Sequence, residues 1–197
     1  MENNQDKIKS GRWKLFLIIA VCAAPMIASY FTYYVIKPQS RTNYGALIDP
    51  RQFPIPTLSS VNLEGKAQEL SAFKGKWLMV QIDKGECLTA CQKKLYDMRQ
   101  LRTAQGKEMD RIERVWLMTN DIQPQPKLLD GIAGTRMLRV SQNNLEKWLP
   151  VEEGTTIYDH IYLIDPLGNL MMRFPKDADA NKVKKDLSKL LKASAIG

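Results

Sequence analysis

Lys14 and Lys37 bracket 22 residues without a single charge, and no other feature of the chain restricts its architecture so tightly. At 1.5 Å per residue, a helix over residues 15–36 is about 33 Å long, the thickness of a bilayer's hydrocarbon core. Pro25 lies inside the run, as a membrane helix tolerates. Tyr30, Tyr33 and Tyr34 gather at its far end, where interfacial aromatic residues anchor. Lys7, Lys9, Arg12 and Lys14 precede it. By the excess of basic residues on the cytoplasmic side, residues 1–14 are expected to stay cytoplasmic and everything after the span to be exported. The run is longer than the apolar part of a cleaved signal peptide and lacks a small-x-small site. Val21 before Cys22 is too large for a lipoprotein cleavage box.

With 197 residues there is room for this anchor and one ordinary domain. A hydrophobic content of 44% supplies a core, which excludes global disorder. The 29 Lys and Arg against 21 Asp and Glu give a net charge of +8. That excess is scattered, and no groove-reading motif accompanies it, so the chain lacks the footprint of a nucleic-acid binder. A basic domain near anionic lipid or an acidic partner fits better.

Pro38, Pro50, Pro54 and Pro56 make residues 37–56 an extended tether, and residues 57–197 the folded domain. The domain opens with a hairpin turning at Gly65. Trp77-Leu78-Met79-Val80-Gln81-Ile82-Asp83 reads as a strand buried on both faces. From Cys87 onward the spacing of Cys91, Leu95, Met98 and Leu101 is helical, stopping near Gly106. Residues 114–119 form a second strand, residues 127–148 a helix, and residues 157–164 a third strand. A Pro-Leu-Gly turn then leads into a return strand over residues 170–174. Val183, Leu187 and Leu191 mark one face of a closing helix. Strand, helix, strand, helix, hairpin, helix is the order of an α/β thioredoxin-like sandwich, here with an N-terminal β-hairpin extension and one transmembrane helix before it.

Of the three cysteines, Cys22 falls in the span. Cys87 and Cys91 fall on the exported side, where thiols meet an oxidising environment. They sit where a buried strand hands over to a helix. First-turn N–H groups and the helix dipole favour negative charge there, which stabilises thiolates. Positions i and i+4 share a helix face, with Cβ atoms about 5–6 Å apart. Two sulfurs so placed can chelate one soft metal ion or close a disulfide. A purely stabilising disulfide is the plain alternative, although so short a loop gains little chain-entropy stabilisation. His160 is the only histidine, which excludes a His-rich zinc site and a two-histidine blue-copper site.

Leu70-Ser71-Ala72-Phe73-Lys74-Gly75-Lys76-Trp77, the Cys87-x-x-x-Cys91 pair, and Asp159-His160 followed by Tyr162-Leu163-Ile164-Asp165-Pro166-Leu167-Gly168 resemble the Sco/SenC family. These are membrane-anchored thioredoxin-like proteins that help build the copper centre of cytochrome c oxidase. The resemblance runs over most of residues 57–192. It implies a copper site made by Cys87, Cys91 and His160, a bacterial inner-membrane location with a periplasmic domain, and as partner an oxidase subunit or another copper chaperone. Two features depart from the pattern: Gln92 stands where the family has proline, and His160 lies closer to Tyr162. Because strand side chains alternate faces, an odd shift would turn His160 away from the cysteines.

Three functions follow from this reading. One is a copper metallochaperone working through Cys87 and Cys91, with Cu(I) or Cu(II) as cargo. Another is a thiol–disulfide oxidoreductase acting on exported partner cysteines, with the same two residues as its catalytic pair. The last is an assembly scaffold that has kept the fold and lost copper.

Overall fold

A computed structural model describes residues 3–36, 43–194 and 196, and divides into two compact units between residues 42 and 43. Lys37 and residues 37–42 of the expected tether lie outside the described residues, as do the side chains of Lys7, Lys9 and Arg12.

The first unit is the helix α1 (Asn3–Phe31), continued by a wider π-helical turn at Thr32–Ile36. Residues Trp13–Tyr34, with a mean hydropathy of 2.1 over the apolar window, are long and apolar enough to cross a membrane. Tyr34 packs against both Tyr30 and Tyr33, with ring centroids at 4.4 and 4.9 Å. Pro25 removes one backbone donor from the helix interior, and the helix runs on through it.

In the second unit, among the described residues, seven strands form one mixed sheet. They are β1 (Ala46–Leu47), β2 (Ser60–Val61), β3 (Trp77–Asp83), β4 (Ile112–Met118), β5 (Thr135–Val140), β6 (Ile161–Ile164) and β7 (Leu170–Arg173), in the spatial order β1-β7-β6-β3-β4-β5-β2. β3 and β4 are parallel and joined by α2 (Thr89–Thr103). β4 and β5 are parallel and joined by the short α3 (Pro126–Gly131). α4 (Gln142–Trp148) follows β5, and β6 and β7 close the sheet as an antiparallel hairpin.

The sheet has two apolar faces. Leu78, Val80 and Ile82 of β3 point to one, with Val115, Leu117, Leu138 and Tyr162. Trp77 and Met79 point to the other, with Met98 and Leu101 of α2 and Val183, Leu187 and Leu191 of α5 (Ala180–Ala193). This explains why β3 reads as a continuous apolar run rather than an alternating one. The side chains of α5 bury every fourth residue as the sequence predicts. Its N-cap, Asp179, accepts hydrogen bonds from the Asn181 and Lys182 amides at 2.8 and 3.3 Å, worth about 1 kcal/mol.

Two expectations are corrected. Residues 127–148 are not one helix: α3 ends at Gly131, Gly134 turns the chain at φ +79°, and Thr135–Val140 becomes β5, which pairs in parallel with β4 and buries Leu138 and Val140. Residues 43–56 are not a free tether. The Tyr44 and Gly45 amides donate to the buried Asp186 carboxylate at 2.7 and 2.9 Å, and β1 pairs with β7. The expected hairpin forms: Val61 bridges Ala67 across a turn with Gly65 at φ +79°, the Gln68 amide donates to the Ser60 carbonyl at 3.1 Å, and β2 also pairs with β5 at the sheet edge.

Candidate functional site: a buried cysteine pair at the start of a helix

β3 ends at Asp83 and the chain turns sharply before α2. The Gly85 amide donates to the Asn120 side-chain oxygen at 2.8 Å, and the Asn120 side-chain nitrogen donates to the Glu86 carboxylate at 2.7 Å. That second bond holds the Glu86 carboxyl below its ordinary pKa. The turn presses against the segment after β4: a Cβ on Gly85 would lie 1.8 Å from the Ile122 carbonyl oxygen, so only glycine fits. Cys87 follows in the left-handed region, at φ +40°, a conformation non-glycine residues rarely adopt.

Two bonds hold Cys87 there. Its amide donates to the Lys84 carbonyl at 3.1 Å, and the Gln92 side chain donates to the Cys87 carbonyl at 2.8 Å. The Gln92 amide also makes an early bond of α2, to the Leu88 carbonyl at 3.0 Å. A proline at this position would lack both donors. The residue that departs from the Sco pattern is therefore a brace for the cysteine loop.

Cys87 and Cys91 are joined as a disulfide with Cα atoms 5.1 Å apart. Cys91 lies in the first turn of α2 and Cys87 just before it. Both are buried, at 1% and 2% exposure, in a cluster with Leu95, Trp116, Met118 and Ile132, flanked by Leu63 and Leu128. Leu88, between the two cysteines, is 76% exposed and carries the loop's apolar surface outward. On the outer side of the same turn, Thr89, Lys94, Tyr158 and Asp159 help to line a cleft of about 510 Å³. Burial lowers the Lys94 pKa and raises that of Asp83, the carboxylate facing it at 3.7 Å.

Gln81 is the site residue that sequence reasoning passed over. It is fully buried on β3, and its side-chain amide donates to Cys91 Sγ at 3.1 Å and to the Cys91 carbonyl at 3.3 Å. The signal was present as the one amide in an otherwise apolar strand.

His160 is not brought to the cysteines. It precedes β6, where Ile161 pairs with Gln81 and Tyr162 with Val80. Its ring packs edge-on to Tyr162 at 5.9 Å, on the face of Val80 and Ile82, whereas Gln81 and Cys91 occupy the face of α2. Nδ1 donates to the Phe174 carbonyl at 2.9 Å, and Nε2 lies 2.7 Å from the Thr155 hydroxyl, so neither ring nitrogen is free. Burial pushes its pKa down. Among the described residues, no three His, Cys, Asp or Glu side chains converge as a metal site. The two sulfurs alone, once reduced, offer the donor set a soft ion such as Cu(I) accepts.

No curated protein matches this chain. Solved structures match it in fold. A SCO1/SenC family lipoprotein from Bacillus anthracis is 19% identical, with 74% of this chain and 99% of that one covered and a TM-score of 0.53. ScoI from Arabidopsis thaliana, with copper bound, is 15% identical, with 71% and 98% covered and a TM-score of 0.56. The thioredoxin domain of a thiol-disulfide oxidoreductase from Bacteroides vulgatus is 18% identical, with 70% and 95% covered and a TM-score of 0.51. The fold is thus thioredoxin-like, in the form the Sco proteins share. A transmembrane-like N-terminal domain family matches residues 5–35, which together with the apolar helix supports a single-pass membrane anchor. A second family model covers residues 77–194, from the start of β3 to the end of α5, and so contains the cysteine pair with the sheet that holds it. The chain belongs to the family of transmembrane-like, thioredoxin-like C-terminal domains.

Proposed function

We propose that this protein is an exported, membrane-anchored thiol–disulfide protein, whose Cys87–Cys91 pair exchanges with cysteines of a partner in the same compartment. The observation that carries the reading is the disulfide itself, set at the start of α2 with Gln81 bonded to one sulfur and, among the described residues, no third metal ligand beside it. The helix start favours the negative charge that each exchange step places on sulfur. In this reading residues 1–14 are cytoplasmic, residues 15–36 span a bacterial inner membrane, and the thioredoxin-like domain is periplasmic. The likeness in fold to Sco proteins suggests the dithiol of a copper-binding cytochrome c oxidase subunit as the substrate. Anchoring both molecules in one membrane raises their effective concentration for each other.

The test is trapping. Full-length Cys91→Ser, with Cys22 also replaced by serine, is expected to accumulate a mixed disulfide through Cys87 with a membrane protein, visible on non-reducing gels and lost when Cys87 is changed as well. A variant that accumulates no adduct overturns the proposal.

A second reading is favoured by the convergence of the two sulfurs and by the copper-bound Sco structure. Reduced Cys87 and Cys91 would carry Cu(I) as cargo to an oxidase subunit or from another copper chaperone, with thiolates of the acceptor displacing them one at a time. His160 takes no part in this version. The reduced full chain should then hold about one Cu(I), with loss on Cys87→Ser or Cys91→Ser.

A further inference from the structure

Gln81 occupies a position where folding alone favours an apolar side chain. Its neighbours along β3 are Met79, Val80 and Ile82, all fully buried, and its in-register partner on β4 is Trp116, also fully buried. A side chain such as methionine fills the same volume with no polar atoms to satisfy. Among the described residues, the Gln81 Oε1 atom has no hydrogen-bond partner, and the only groups its Nε2 reaches are Cys91 Sγ and the Cys91 carbonyl. The buried amide therefore loses on one side and gains only at Cys91. The N–H end faces the sulfur because an oxygen there would oppose the sulfur's electron density.

We propose that Gln81 is a positioning residue that sets the redox poise of the Cys87–Cys91 pair, by donating a hydrogen bond that strengthens when the disulfide opens. The inference rests on the reading of this pair as the working site. In exchange with a dithiol, the first thiolate bonds to one sulfur of the pair as the Cys87–Cys91 bond breaks, and the electron pair passes to the other sulfur. The second thiol of the reductant then loses its proton and displaces the first sulfur from the mixed disulfide. The reductant leaves as a disulfide, and Cys87 and Cys91 hold the two electrons. An amide N–H bonds weakly to a disulfide sulfur and more strongly to a sulfur bearing charge. Gln81 thus favours the open pair and makes the disulfide more oxidising.

The experiment uses the full chain in detergent with Cys22→Ser, equilibrated at fixed neutral pH in dithiothreitol buffers of graded ratio, with the reduced fraction read by thiol alkylation and mass. Gln81→Met and Gln81→Leu, which keep the volume and remove the donor, are expected to shift the equilibrium about tenfold toward the disulfide, about 30 mV more negative. Met79→Leu, on the same strand and face, serves as the packing control and is expected to leave the potential within twofold of the parent. A folded Gln81 variant with the parent's potential overturns the inference, as does an equal shift in the Met79 control. Loss of the fold in both Gln81 variants also overturns it, by assigning the residue to stability. Trapping through Cys87 does not depend on Gln81. If trapping fails while the potential shifts, the proposed function falls and this inference stands. If trapping succeeds without a shift, only the inference falls.

Discussion

Gln81 and His160 stand on adjacent antiparallel segments and face opposite sides of the sheet: Gln81 meets Cys91 at 3.1 Å, and the His160 ring meets Tyr162 at 5.9 Å. The chain's single imidazole and the Cys87–Cys91 sulfurs thus form no common ligand cluster. The chemistry of the site is that of two sulfurs and one amide.

His160 is a structural residue in this arrangement. His160→Ala removes a buried ring and the donor to the Phe174 carbonyl. It should cost about 3 kcal/mol of stability, measured by urea unfolding. The reduction potential of Cys87–Cys91 should stay at the parent value, and so should any Cu(I) stoichiometry. Selective loss of copper with stability intact would restore the histidine to the metal site.

The pH dependence has a defined sign. Burial lowers the His160 pKa from its ordinary value of 6.5, so the unfolded chain binds the proton more readily than the folded one. Stability from the neutral ring is complete above pH 6.5 and is lost as pH falls below that value toward the depressed folded-state pKa. Unfolding free energy measured from pH 7.5 to 5 should fall through this window. The fall should be smaller in His160→Gln.

Asp186 pins the entry of the domain. Its carboxylate, 2% exposed, accepts from the Tyr44 and Gly45 amides and lies 3.9 Å from Lys189. Asp186→Ala leaves one buried and one half-buried donor unpaired and should cost about 2 kcal/mol. Hydrogen exchange should show the loss concentrated at residues 44–48, with β1 leaving β7 before the rest of the sheet opens. Uniform exchange across the domain would refute this local role.

The cysteine loop depends on a close backbone approach. Gly85→Ala places a methyl group against the Ile122 carbonyl. The backbone must give way, which should cost roughly 2 kcal/mol. The displaced loop should also let dithiothreitol reduce the disulfide faster than in the parent, since both sulfurs are otherwise covered. Unchanged reduction kinetics would show that the loop absorbs the methyl elsewhere.

Much of this molecule was legible in the sequence because it follows from local periodicity. The helical spacing of Cys91, Leu95, Met98 and Leu101 is realised as the buried face of α2, and Val183, Leu187 and Leu191 as that of α5. The continuous apolar run of β3 announced a strand covered on both sides. Local pattern reads residues 135–140 as helix, because their strand character comes from β4 alongside, which no local pattern reports. Gln81 was visible as a lone amide, yet its purpose is a sulfur ten residues away.

By itself the sequence determined the apolar helix, the order of the core elements and the meeting of two sulfurs at a strand-to-helix junction, since each depends on residues close along the chain. Only the tertiary structure decided that the sulfurs are buried, that residues 43–56 are strapped to β7 and Asp186, and that His160 turns to the other face. Those outcomes depend on which groups meet across the sheet. A shift of one residue in strand register reverses the face a side chain occupies while leaving composition and spacing almost unchanged.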